Sequence, residues 1–373
     1  MTNQARFAAL LKESTALAKA SVTQPVKPVE PAVPAVIVED AESLLMTSHS
    51  IDGTFENCAR RFEFLHAYMR APEKESDAYA ADVGTALHEA VQEWQRRLFY
   101  GESHAEAEGK GAITLLRWWP WEVEDSRKDQ GKAIGERTLG NALLLLAMIY
   151  ESPVWTDWEL VSIENFGPAI EVPWRIVHKS MGKIPLPYGR EGFIATQGKI
   201  DFIFRHKVTR KFKVFDLKTT EKKKVAHDAA FRFSGQAGQY GIVLDHALGI
   251  DSMKDGLDIT YLMAMFGSAY GGEDNLGNPM EVYPLNYHLD SEELADAVAV
   301  KIERLDRMKA YAMRGYWPRR THGCEFFGTP CGFLDICHRR DQRFIEQWME
   351  FEVASGRFRE NKRVYEPVWI MEA

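Results

Sequence analysis

The sequence predicts an α/β fold, a mixed β-sheet flanked by helices, and three observations carry that expectation. A strand–turn–strand pattern fills residues 198–220, amphipathic helical patterns stand before and after it, and further stretches of strand length and alternation lie at 259–266 and 282–288. The hairpin is the centre of the chain. Both of its arms are β-branched or aromatic at alternate positions, and the polar run 205–211 reads as the turn. Residues two apart on a strand share a face, so Asp216 and Lys218 point the same way. A turn centred between Val208 and Thr209 sets Asp201 directly opposite Asp216. Two carboxylates a few ångströms apart repel unless a cation lies between them, and a hard divalent ion with oxygen ligands is the usual solution. A lysine two residues along then holds a water or a phosphate. A surface ladder of Asp and Lys is the commoner reading of such a hairpin in isolation, so the remaining elements decide.

At 373 residues the chain is long enough for one large domain or two smaller ones. Its 45% hydrophobic and 27% charged residues are those of an ordinary soluble protein. No apolar run reaches membrane-spanning length, and Arg6, Lys12 and Glu13 interrupt the start where a signal peptide would be apolar. The expected location is cytoplasmic. A net charge of -8 does not advertise a nucleic-acid binder. Locally the balance reverses: between Arg205 and Lys224 nine basic residues face only Asp216 and Glu221. A second basic group comprises Arg314, Arg319 and Arg320, with Arg339 and Arg340 beyond it.

In chain order, residues 1–20 suit a short helix, and Pro25, Pro28, Pro31 and Pro34 then favour an extended polyproline segment. Residues 1–42 are therefore assigned to a flexible arm. A helix is expected from Thr54, with Phe55, Cys58, Phe62, Leu65 and Met69 along one stripe. The next, over 76–100, carries Ala80, Val83, Leu87, Val91, Trp94 and Leu98 inward. His88 lies at the edge of that stripe, and Gly84, one turn earlier, leaves room for a close approach. Residues 103–150 read as helical, and the tryptophans from Trp118 to Trp158 as part of their packing. Strands follow at 159–165 and 170–176; Glu164 or Glu171 could reach the proposed site, without a basis for choosing between them. Beyond the hairpin a helix over 226–248 puts Gln236 and Tyr240 one turn apart on the same side. Asp290 and Glu293 form a capping box for a helix with Leu294, Val298, Ile302 and Leu305 inward and Gly315 at its end.

Three of the four cysteines, Cys324, Cys331 and Cys337, fall within fourteen residues. With Cys58 they make four thiolates, the number that holds a zinc ion or an iron–sulfur cluster. Zinc-finger Cys-x-x-Cys pairs are absent, which favours iron–sulfur, with zinc as the alternative. A shared cluster would tie the early helix to the late segment across more than two hundred residues.

Together these residues resemble the RecB-like branch of the PD-(D/E)xK nuclease superfamily, specifically its iron–sulfur members among helicase-associated, CRISPR-associated and phage proteins. The pattern runs Gly84-x-x-x-His88, Gly198-x-x-Asp201, Asp216-Leu217-Lys218-Thr219 and Gln236-x-x-x-Tyr240, with one cysteine before and three after, and it spans about 46–340. The six residues between Cys324 and Cys331 are more than some relatives have, and no phosphate-binding Gly-x-x-x-x-Gly-Lys loop is present, so the resemblance is to a stand-alone nuclease. It implies a restriction-endonuclease-like core over 43–345 with a helical insertion at roughly 101–157, the cluster segment at 324–337, and a C-terminal helix and tail over 346–373. It implies Mg²⁺ or Mn²⁺ held by His88, Asp201, Asp216 and the Leu217 carbonyl, with Lys218 orienting the attacking water or stabilising the developing phosphorane charge. Gln236 and Tyr240 would position a substrate strand, and Lys222, Lys223 and Lys224 would hold flanking phosphates. A 4Fe–4S cluster on Cys58, Cys324, Cys331 and Cys337 is implied likewise. The expected activity is metal-dependent hydrolysis of DNA, exonucleolytic on single strands or ends, in phage or mobile-element replication, recombination or repair, with a helicase or replication protein as a candidate partner. A catalytically silent DNA-binding scaffold that keeps the fold is the rival expectation.

Overall fold

Four consecutive buried residues, Leu44–Thr47, form the first strand, β1. His49–Asn57 (α1) follows, with the Ser48 hydroxyl accepting from the Ile51 N–H at 3.3 Å as its N-cap. The helix expected to run on through Cys58 stops there. Cys58 is extended (φ −161°, ψ 107°), and the chain restarts as Ala59–Phe62 (α2) and a π-helical turn at Glu63–Ala67. Cys58 is thus turned out of the helical stripe and presented at a helix junction. In this computed structural model the described residues are 44–72, 79–131, 134–163, 174–198, 200–221, 231, 235–248, 252–267, 280–320, 324–326, 329–360 and 370–372. The amino-terminal helix and proline-rich arm, Glu164, Glu171 and Lys222–224 lie outside them.

Arg70–Pro72 (β2) leads to four helices: Tyr79–Phe99 (α3), His104–Trp118 (α4), Trp121–Asp129 (α5) and Leu139–Tyr150 (α6). The stripe of α3 is buried at Tyr79, Val83, Leu87, Val91 and Trp94, whereas Ala80 faces solvent. Trp119 is buried, but Trp118 and Trp121 are 53% and 47% exposed, so those two do not join the packing expected of them. Trp158–Ile163 (β3), Trp174–Val177 (β4), Ile184–Leu186 (β5), Arg190–Gly198 (β6), Phe202–His206 (β7) and Phe212–Thr220 (β8) then follow. Gly235–Leu248 (α7), Ser252–Asp255 (α8), Leu257–Met265 (β9), Glu281–Leu289 (β10) and Ser291–Met313 (α9) complete the centre. The capping box of Asp290 and Glu293 on α9 forms as the sequence predicts, and Gly315 adopts φ +61° just past its end. Its inward stripe differs in one place: Ile302 is 52% exposed and Lys301, at 7%, is buried instead. Lys301 donates to Asp52 at 2.6 Å and to the Thr47 hydroxyl at 3.1 Å, which makes that inward turn tolerable for an ammonium.

Two five-stranded sheets organise the molecule. One has the order β10-β9-β8-β7-β3, all antiparallel except the β8–β9 pair. The parallel pair requires a crossover, and α7 lies within that connection. The other sheet runs β1-β6-β4 with β5 on β6. Its far edge is the late strand Ile370–Glu372, parallel to β4. The chain leaves the second sheet at Gly198 and enters the first at Phe202, so Asp201 stands where the two meet.

Side-chain alternation on the hairpin divides the core. Phe202, Phe204, Phe215 and Leu217 pack with α3, α4 and α6, while Ile203 and Val214 pack with α7 and with Ile259, Tyr261 and Met263 of β9. This is the expected mixed sheet flanked by helices, a restriction-endonuclease-like arrangement. Short strands at Glu325–Phe326 (β11) and Thr329–Pro330 (β12), helices at Leu334–Cys337 (α10) and Gln342–Ala354 (α11), and a strand at Phe358–Glu360 (β13) form the late part of the chain. Together with Ile370–Glu372 (β14), the segment expected to be helix and tail contributes two paired strands: β13 lies on β2 and β14 on β4. Among the described residues no helix is long and apolar enough to cross a membrane.

Candidate active site

The hairpin register is the one the turn predicts. Phe202 pairs with Phe215 and Arg205 with Phe212, and extending that register by one residue sets Asp201 opposite Asp216. Between the strands, Arg210 at φ 62° closes a four-residue loop in which its N–H donates to the His206 carbonyl at 3.0 Å. Asp216 and Lys218 share the face of Val214, which is the face that α7 covers.

The Leu217 peptide is held from both ends. Its N–H donates to Asp201 Oδ2 at 3.1 Å, and its carbonyl oxygen lies 2.6 Å from His88 Nε2. His88 Nε2 is also 3.2 Å from Asp201 Oδ2. His88 reaches this point because α3 comes down closely onto β8 at Gly84. A Cβ on Gly84 would stand 2.9 Å from the Thr219 hydroxyl oxygen, a separation that ordinary side chains do not tolerate. One ligand atom from each of His88, Asp201 and Asp216 lies within 4.8 Å of the others, and among the described residues no second group of His, Cys, Asp and Glu gathers this tightly.

Asp216 is fully buried, and its two oxygens differ. Oδ2 accepts from the Tyr240 hydroxyl at 2.6 Å, and Tyr240 in turn accepts from Gln236 Nε2 at 2.5 Å. Oδ1 has the Lys218 ammonium 2.7 Å away as its charge partner. Burial, and then the nearby Asp216 and Asp201 carboxylates, push the Tyr240 hydroxyl well above its usual range. It stays protonated and remains a donor to Asp216. Gln239, on the same helix, hydrogen-bonds the Gln197 carbonyl and pins α7 to the end of β6.

Every sequence-predicted residue of this group within the described chain, His88, Asp201, Asp216, Leu217, Lys218, Gln236 and Tyr240, comes to one place. Sequence reasoning did not find His49 or Gln239. The His49 ring lies 3.7 Å from the position a Cβ on Gly235 would take, at the start of α7. Burial lowers its pKa; Asp52 opposes this, and the Lys218 charge adds to the lowering. Neither residue carries a spacing signal, because both arrive through the docking of α1 and α7.

Of the cysteines, Cys331 and Cys337 pack in one apolar cluster, and among the described residues no three thiols gather as tightly as His88, Asp201 and Asp216 do. The Cys331 N–H donates to the Cys324 carbonyl at 2.8 Å. Burial raises the pKa of the Cys331 and Cys337 thiols; Arg61 opposes this at Cys331 and Arg60 at Cys337, while Cys58 and Cys324 raise both further. All four are free thiols.

A solved structure described as SSO0001 is 12% identical over 82% of this chain and 92% of that one, with a TM-score of 0.19, too low to carry an argument about fold or site. No curated protein matches the sequence. The PD-(D/E)XK nuclease superfamily model matches residues 47–338, which hold the hairpin, the α3 histidine, the α7 pair and all four cysteines, and the chain belongs to that superfamily.

Proposed function

We propose that the chain is a divalent-metal-dependent deoxyribonuclease of the RecB-like branch, exonucleolytic on single strands or DNA ends, with an iron–sulfur cluster on its four cysteines. One observation carries the catalytic part: the buried Asp216 carboxylate meets a second carboxylate, an imidazole and a peptide carbonyl, with one ligand atom from each of His88, Asp201 and Asp216 within 4.8 Å of the others. Four hard or borderline donors, two of them carboxylates, match what Mg²⁺ or Mn²⁺ takes, and His88, Asp201, Asp216 and the Leu217 carbonyl would hold it. Bound there, the ion supplies Lewis acidity, lowering the pKa of a water and offsetting charge on the phosphate.

The remaining work falls to the chain itself. Lys218 presents its ammonium on the open side of Asp216 (29% side-chain exposure), where it orients a water and balances the charge that develops on the phosphate. Tyr240, kept protonated, fixes the Asp216 carboxylate, and Gln236 fixes Tyr240. Lys222–224 follow Lys218 closely in sequence and suit flanking phosphates.

For the cysteines, a single zinc would draw its sulfurs to about 3.8 Å apart, given Zn–S near 2.3 Å in a tetrahedron. The four thiols would supply ligands for either such a zinc or an iron–sulfur cluster, and the lack of Cys-x-x-Cys pairs favours the cluster.

The test is digestion of end-labelled single- and double-stranded DNA by anaerobically purified protein with Mg²⁺ or Mn²⁺. Wild type is expected to shorten ends and to stop with chelator, while Asp216→Ala loses at least about a hundredfold in rate and still melts cooperatively as a folded protein. Full activity of Asp216→Ala, or none in wild type with either ion, would overturn the assignment.

A further inference from the structure

Among the residues from Arg314 to Arg343 every basic side chain other than histidine is arginine: six arginines, no lysine, in a chain whose net charge is -8. Arg320 is tied down, donating to the Glu56 carbonyl at 2.5 Å. The other five, Arg314, Arg319, Arg339, Arg340 and Arg343, are exposed and make no ion pair among the described residues. Elsewhere arginines find carboxylates, as Arg97, Arg137, Arg205, Arg210 and Arg304 do. The nearest acid in sequence, Asp341, is occupied in capping α11, accepting from the Phe344 N–H at 3.1 Å.

Two of these guanidinium groups lie on exposed rings. Arg340 stands 4.7 Å from the centroid of Tyr316, which is 39% exposed, and Arg339 stands 5.1 Å from that of Phe344, 42% exposed. The backbone beneath them is fixed. The buried Arg60, two residues after Cys58, donates to the Arg339 carbonyl at 2.5 Å, and the Arg339 N–H donates to the Ile336 carbonyl at 3.0 Å. Arginine on an exposed aromatic ring offers a flat π face, a fork that fits phosphate and a weakly hydrated charge. Those are the recognition elements for a single nucleic-acid strand, whose bases stack while its phosphates are held. An acidic protein surface would need the charges but not the rings.

We infer that Tyr316, Arg339, Arg340, Arg343 and Phe344 form a second, non-catalytic platform that holds single-stranded nucleic acid outside the Asp216 site. This rests on the nuclease reading only for the identity of the strand, and binding can be measured without cleavage. In the Asp216→Ala background with chelator, a fluorescent oligothymidylate is titrated by anisotropy at several salt concentrations. Arg339→Ala/Arg340→Ala/Arg343→Ala is expected to weaken binding at least about tenfold and to lower the salt slope by about two, at about 0.7 per phosphate. Tyr316→Ala/Phe344→Ala is expected to weaken it by a similar factor with the slope unchanged. The lysine version of the three arginines, which keeps charge and surface, should retain the slope and lose severalfold in affinity, a result that a folding defect would not produce. Wild-type affinity in both alanine variants overturns the platform. So does equally tight binding of polyglutamate that is lost in the arginine variant, which would mark the patch as a docking surface for acidic protein. Cleavage of a trinucleotide by the intact enzyme tests the nuclease reading separately, and the platform variants should leave it unchanged.

Discussion

At the scale of single residues, the arrangement around Asp216 turns on one hydroxyl. Tyr240→Phe removes the donor 2.6 Å from Asp216 Oδ2 without changing the ring, and leaves a buried carboxylate with neither oxygen hydrogen-bonded to a tyrosine. A hydrogen bond to a charged group contributes about 1.5–3 kcal/mol, so the variant should melt earlier and cleave roughly tenfold to a hundredfold more slowly. Thermal melting and single-turnover cleavage check it; unchanged values for both would mean that Tyr240 is only a packing residue. The spacing of Asp201, Asp216 and Lys218 was readable from strand alternation and an even turn, and Gln236 and Tyr240 from helical period. The link from Tyr240 to Asp216 was not, because it joins residues of two elements whose docking no local pattern encodes.

At the scale of elements, two contacts decide whether the site is assembled. Gly84→Ala puts a methyl group 2.9 Å from the Thr219 hydroxyl, between α3 and β8. Alanine is the better helix former by about 1 kcal/mol, and overpacking costs about 1–3 kcal/mol, so stability should change little. Activity should fall about tenfold as His88 is lifted from the Leu217 carbonyl, and a fall in melting temperature without loss of activity would refute that account.

The second contact is the clamp of α1 on α9. Burial alone would raise the Glu56 pKa, but hydrogen bonds and charge from Arg304, 2.7 Å away, and from Arg307 outweigh it and hold the carboxyl below its ordinary 4.5. A carboxyl depressed in the folded state adds stability that is present above pH 4.5 and lost as the pH falls through its folded value. Glu56 is a third exposed, so after solvent screening the contribution is about 1 kcal/mol. Glu56→Gln should therefore be less stable than wild type at pH 7, and the difference should vanish in acid, as measured by denaturant titration at several pH values.

At the scale of the whole molecule, the cysteines come from distant parts of the chain. Cys58 sits between α1 and α2, and Cys331 and Cys337 pack with Phe64, Tyr68, Phe333 and Ile345 in one cluster that also takes in β13. If these thiols share a cluster, Cys337→Ser should lose broad visible absorption and bound iron, melt several degrees earlier and become open to proteolysis near 324–337. A colourless wild type with the same melting curve as Cys337→Ser would remove the cluster from the account.

What the sequence determined by itself is the chemistry and its local order: which carboxylates share a strand face, which histidine and tyrosine follow at helical spacing, and which cysteines cluster. Period and register are short-range properties, so they survive in a linear reading. Tertiary structure alone decided that helix α1 breaks at Cys58, that Lys301 rather than Ile302 turns inward to Asp52, and that the late strand Ile370–Glu372 joins the sheet of β4. It alone carried His88 to the Leu217 carbonyl, because that meeting depends on how closely a helix can approach a strand, and the missing side chain at Gly84 permits the approach.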